Sequence, residues 1–267
     1  MKFHVKYEPC QSLRVLGEKF PIFQGNLFHY TDEQAAESIS ATGDLWLTRG
    51  DSFLDENEIR YGARLLYSAI ERSTDGEMRR SFISTIDTLG EILRRHYLMS
   101  FTSNAENRHL AKNYGGTRIE FREDTWMLLR GGGYCLTPQG DGFRAQHFID
   151  TLNVECCHVV YRADEQSYIS DCAVSAMKEV YSMNQDSIEY ALSIFSLREK
   201  LANCLALFKS PEFCAEEELR LFVYPRQGMT TSLPYDSRMS GDRRVFYMKA
   251  RIPHLVRDCI VGVQKIV

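Results

Sequence analysis

The chain has 267 residues, 44% hydrophobic and 25% charged, with a formal net charge of −4. That length and apolar content suffice for one large core, or one core with a helical elaboration, and exclude a disordered chain. The acidic balance excludes a global basic field that would draw the chain to nucleic acid or to an anionic membrane.

No apolar run approaches the roughly 20 residues of a membrane span, and the first residues, MKFHVKYEPCQS, lack the apolar core of a secretory signal. The expectation is a cytoplasmic protein with no membrane partner. Its eight cysteines show no CxxC pair and no regular spacing, as for free thiols in a reducing compartment. No His/Cys cluster has ligand spacing, so no metal site is expected. No cysteine sits in an activating context. No Gly-rich dinucleotide fingerprint and no phosphate-loop lysine motif occurs.

In chain order, NLFHYT (26–31) predicts a short strand. Thr31 then opens a capping-box pattern with Gln34, ahead of a helix that stops at Gly43. LWLT (45–48) predicts a second strand, and RGDSFLDENEIRYG (49–62) a polar loop. From Ala63 to about Tyr97 two apolar stripes at helical spacing, broken at STDGE, predict two helices. YLMSFTSN (97–104) predicts a strand running into a turn, followed by a short helix closing at Gly115 and Gly116. Strands follow at TRIEF (117–121) and VECCHVVYR (154–162). Two or three helices fill about 166–208, and strands end the chain at ELRLFVY, RRVFYMKARI and CIVGV. The pattern predicts a single α+β domain around a mixed or split β-sheet, with helical insertions at about 63–97 and 166–208.

Three segments are polar where a buried strand end is expected. They are His29-Tyr30-Thr31, Ser100-Phe101-Thr102-Ser103 and Glu216-x-Glu218-x-Arg220. Each has a plain structural explanation: a satisfied core histidine, a helix cap and a surface salt-bridge ladder. In FCAEEELRLFVY (213–224) strand alternation puts Leu219, Leu221 and Val223 on one face and Glu216, Glu218 and Arg220 on the other. Two acids and an arginine in line form either that ladder or part of a polar cleft.

Together the segments LFHYT, LWLTRGDSFLDE, SFTSN, NYGGTRIEF and KSPEFCAEEELRLF, over roughly residues 26–262, resemble a widespread bacterial family of unknown function. Lys209, Phe213, Glu216, Glu218 and Arg220 fall in register with that family's last motif; DSFLDENE and Phe213 depart from it. The same order of features is similar, more distantly, to the ADP-ribosyltransferase superfamily.

The second resemblance implies an ADP-ribosyltransferase-like fold and NAD as substrate. It implies that Glu218 stabilises an oxocarbenium-like transition state and that Glu216 orients or deprotonates an acceptor. Ser100 and Thr102 would organise the nicotinamide ribose and the catalytic glutamate. His29, with Tyr30 and Thr31 beside it, would contact the adenosine-side ribose. Tyr30 and Tyr114 would stack on a ring, and Arg49 or Arg220 would pair with pyrophosphate. Arg220 serves equally as a structural partner of Glu216 or Glu218.

The acceptor would be a protein or nucleic acid, and a bacterial toxin, effector or phage-defence role, with a regulatory or antitoxin partner, follows by analogy. An NAD glycohydrolase and a nonenzymatic nucleotide- or partner-binding module are the alternatives.

Overall fold

Among the described residues eleven strands form: β1 (Leu27–Thr31), β2 (Asp44–Arg49), β3 (Tyr97–Thr102), β4 (Thr117–Phe121), β5 (Tyr134–Gln139), β6 (Gly142–His147), β7 (Leu152–His158), β8 (Glu218–Pro225), β9 (Asp236–Ser240), β10 (Arg243–Arg251) and β11 (Ile260–Lys265). The computed structural model describes residues 10–53, 56–123, 125–132, 134–139, 142–147, 152–225, 235–251 and 258–266. Ile252, the last residue of the expected strand RRVFYMKARI, lies outside them.

The α+β class holds, but every ladder among the described residues is antiparallel, not mixed. The reason lies at β3. Strands β1 and β2 run in the same direction yet never pair with each other, because each borders β3, which runs against both.

The sheet forks there. Strand β8 pairs with β3 along its whole length, Tyr97↔Val223 to Thr102↔Glu218. The opposite edge of β3 is shared: β2 pairs with Tyr97 and Leu98, and β1 with Thr102. Between them Met99, Ser100 and Phe101 have no registered strand partner on that edge.

One face of the sheet buries the main core, including Leu45 and Leu47 of β2, Met99 and Phe101 of β3, Leu219, Leu221 and Val223 of β8, and Met248 and Ala250 of β10. By strand alternation Trp46, Ser100, Glu218, Arg220, Tyr247 and Lys249 lie on the opposite face.

Local chemistry sets the helix ends beside the sheet. The helix Glu33–Thr42 is capped by Asp32, not Thr31, with the Asp32 carboxylate accepting the Ala35 amide at 2.7 Å. A charged acceptor answers the exposed amides and the positive helix end better than a hydroxyl. Gly43, at φ 70°, ends that helix as expected.

The helix Arg108–Tyr114 ends at Gly115, φ 123°. A Cβ there would lie 2.4 Å from the Thr31 carbonyl, so only glycine lets this helix end close on β1.

The polar loop expected over 49–62 is largely helical, with Gly50–Phe53 and the start of Glu56–Ser73 inside it. Glu56 and Glu58 suit a first helical turn, and the buried stripe Gly62, Leu66, Ala69 and Ile70 begins within the supposed loop. Leu54 and Asp55 lie outside the described residues.

By contacts the chain divides into two compact units. All the strands belong to Ile22–Asp55, Leu93–Val159 and Glu212–Val267. The other unit, Met1–Pro21, Glu56–Ile92 and Val160–Pro211, is helical over most of its described residues and takes in most of both expected insertions. In it the helices Gln11–Glu18, Glu56–Ser73, Ala163–Tyr181 and Ile188–Leu207 pack together. Gly62 lets the second approach the backbone of Leu205. Gln166, fully buried, donates to the carbonyls of Val160 and Lys209 and accepts from the Tyr61 hydroxyl. Lys209, the first residue of the last motif, pairs with Glu58 at 3.1 Å within this unit. None of the helices in the described residues is long and apolar enough to cross a membrane.

Candidate functional site

At the fork, the Ser100 carbonyl is met by a side chain: His29 Nδ1 lies 2.9 Å from it. A carbonyl only accepts, so Nδ1 carries the proton and Nε2 presents its lone pair. Burial lowers the His29 pKa from 6.5, a shift the Ser100 contact opposes without reversing, so the imidazole is neutral at neutral pH.

The sign follows. The unfolded histidine takes up a proton as pH falls below about 6.5 and the folded one resists, so stability present above that pH is lost below it. We expect the thermal midpoint of the parent to fall more steeply than that of His29→Gln between pH 7.5 and 5.5. Parallel curves would show that His29 titrates as if exposed.

Glu218 and Arg220 are only 4% and 1% exposed, so the surface-ladder expectation is overturned. Arg220 donates to both Glu218 carboxylate oxygens, Nε to Oε1 at 2.8 Å and Nη2 to Oε2 at 2.9 Å. The Ser100 hydroxyl donates to the same Oε1. The carboxylate is thus fixed by a two-pronged guanidinium from its own strand and a hydroxyl from β3. Arg220 acts as the structural partner of Glu218, with its guanidinium carbon 5.3 Å from the Phe53 ring centre.

The three consecutive glutamates have three environments. Glu216 is not on the strand but ends the 3-10 helix Pro211–Glu216 and is buried. Glu217 adopts φ 46°, a left-handed conformation costing an ordinary residue on the order of 1–3 kcal/mol, and is exposed. Glu218 begins β8.

The kink at Glu217 is held by a residue that sequence reasoning missed. Asn107 Nδ2 donates to the carbonyls of Ala215 and Glu216 at 3.0 and 2.9 Å, while Oδ1 caps the helix Arg108–Tyr114 through the Leu110 amide. The Tyr30 hydroxyl accepts the Asn107 amide and donates to the Ala105 carbonyl. An asparagine opening a helix is a legible cap signal; its clamp on residues more than 100 positions away is not.

A cavity of about 70 Å³ opens among these groups. Of the expected residues, His29, Tyr30, Ser100, Tyr114, Glu216 and Glu218 line it, with Phe28, Phe101 and Leu110 as apolar walls. Tyr30 spends its hydroxyl on Ala105 and Asn107, whereas Tyr114 is 55% exposed at the rim.

Thr31, Arg49, Thr102 and Arg220 are not brought to it. Thr102 is fully buried, and its hydroxyl accepts the Asn104 amide, closing the turn after β3. Arg49 is held by Asp51 at 2.7 and 2.9 Å and lies over the Phe246 ring.

Among the described residues no three His, Cys, Asp or Glu side chains cluster as metal ligands. Burial pushes the Cys156 and Cys204 thiols up to about 12, which keeps them protonated and unreactive. Compared with protein families, curated proteins and solved structures, the chain matches none.

Proposed function

We propose that the chain cleaves the nicotinamide–ribose bond of NAD and transfers ADP-ribose to a macromolecular acceptor, protein or nucleic acid. One observation carries this reading: His29 of β1, Ser100 of β3, Glu216 at the end of the 3-10 helix and Glu218 of β8 meet in one cavity at the fork of the sheet. Independent core, cap and surface roles give no reason for them to meet.

In the proposed reaction the C1′–N bond breaks with its electron pair leaving on nicotinamide, and the ribose becomes cationic. Glu218, held by Ser100 and Arg220, presents a fixed carboxylate to that charge without having to reorganise. Glu216 takes the proton of the acceptor as its lone pair bonds to C1′. The Nε2 lone pair of His29 accepts a ribose hydroxyl. The cavity is about half the ~150 Å³ that admits benzene, so it takes one edge of a sugar or ring and the rest of the dinucleotide lies outside. The toxin, effector or phage-defence roles belong to this proposal by analogy alone.

A nonenzymatic nucleotide-binding cleft is the second reading. It is favoured by Glu218 already spending at least three of its roughly four acceptor sites, on Arg220 and Ser100. Incubation with NAD labelled on its adenylate half, alone and with protein, DNA and RNA fractions, separates the readings. We expect label on a macromolecule. Free labelled ADP-ribose alone would make the protein a glycohydrolase, and intact NAD would leave a binding module.

A further inference from the structure

Away from the cavity, on the same face of the sheet as Ser100 and Glu218, a second cluster has no role in that chemistry. Leu45 and Leu47 of β2 and Met248 and Ala250 of β10 enter the main core, so Trp46, Tyr247 and Lys249 point the other way. Trp46, 37% exposed, stacks on Tyr247 with ring centres 4.5 Å apart and planes 5° from parallel. Tyr247 is buried, and its hydroxyl donates to Asp236 at 3.1 Å, which fixes the lower ring of the stack. Lys249 Nζ and Arg238 Cζ lie 5.1 and 5.2 Å from the Trp46 ring centre. Among the described residues neither cation enters an ion pair.

An indole on a rigid aromatic support, with two cations over its ring and the Asp236 carboxylate beside the supporting tyrosine, departs from ordinary surface on an acidic chain. We infer that this face binds single-stranded nucleic acid, with a base against Trp46 and adjacent phosphates on Arg238 and Lys249. A ligand carrying planar apolar rings and regularly spaced negative charge satisfies both halves of the cluster. An acidic peptide would neutralise the cations and leave the indole idle. A duplex would offer phosphates with its bases already stacked on one another. The binding stands without NAD cleavage. If the reaction proposed above also holds, this surface names its acceptor as single-stranded nucleic acid, a step that rests on that proposal.

The test uses the full chain without NAD. Fluorescence anisotropy would follow labelled twelve-nucleotide oligothymidylate and oligouridylate, the matching duplex and polyglutamate, with NAD as competitor. We expect the single strands to bind, and Trp46→Ala to weaken them roughly 5- to 150-fold, the contribution of one stacked base. Trp46→Phe should recover most of that loss. Arg238→Gln and Lys249→Gln should each make the dependence of log K on log salt shallower by about 0.7. Arg238 is exposed and Lys249 half-buried with its amine at the surface ring of Trp46, and glutamine keeps most of either stem, so these variants fold even if the Trp46→Ala stack loosens.

Binding confined to the duplex or to polyglutamate, single-strand binding displaced by NAD, single-strand binding unchanged in all four variants, or no binding would each overturn the inference. Because no arm measures NAD turnover, failure here and failure of the cleavage proposal are separate results.

Discussion

Glu218→Gln should lower folding stability by about 3–5 kcal/mol, far more than a surface substitution. Arg220 is 1% exposed and directs its guanidinium fork to both oxygens of Glu218. Glutamine keeps one acceptor and no charge, so the substitution leaves a buried cation facing a neutral amide. Removing one partner of such a pair costs that much because the other stays desolvated without the opposite charge it faced. A surface ladder, one of the two arrangements open from the sequence, would lose only about 0.2–1 kcal/mol.

The double substitution Glu218→Gln with Arg220→Met removes the buried cation as well and fills its space with an apolar chain. Replacing both partners of a buried pair is often neutral or stabilising. The double variant should therefore return to near the parent midpoint in chemical denaturation. If the single variant loses less than about 1 kcal/mol, the carboxylate and the guanidinium are not the coupled buried pair that the geometry describes.

That contrast shows where sequence reasoning stopped. The alternation Leu219, Leu221, Val223 was legible, and with it the strand and its core face. The burial of Glu218 and Arg220 was not, because β8 is covered on both faces and only the tertiary structure shows it. Strand order at the fork decides which hydroxyl of Ser100 and Thr102 reaches the site. Both lie on one face of β3, but Thr102 is opposite Glu218 in the ladder and is sealed there. Strands β5, β6 and β9 were not expected, and neither was the helix Gln11–Glu18, although its buried Leu13 and Leu16 stand at helical spacing. Short segments are where propensity is weakest against tertiary context. The clamp by Asn107 belongs to the same class, since a local cap signal carries no information about a distant second partner.

The last expected result concerns chemistry and uses the same two variants. A carboxylate about 4 Å from the developing ribose cation contributes about 4 kcal/mol at an effective dielectric constant of about 20, whereas a guanidinium about 7 Å away opposes it by roughly 2.4. Under the cleavage proposal, Glu218→Gln removes the attraction and keeps the repulsion, so NAD turnover per folded molecule should fall on the order of 10³-fold. The double variant removes both, a net loss of about 2 kcal/mol, and its turnover should fall only about 20- to 30-fold. The doubly substituted protein should thus be both more stable and more active than the singly substituted one. Glu216→Gln should instead lose transfer to the acceptor and retain part of the hydrolysis, because its carboxylate serves the acceptor side. We would measure NAD consumption and acceptor labelling for the three variants beside the parent, each normalised to its folded fraction from the denaturation curves. A binding module predicts no turnover in any of them. A double variant with the parent's turnover would show that Glu218 serves the fold alone, and the cleavage proposal would lose its principal residue.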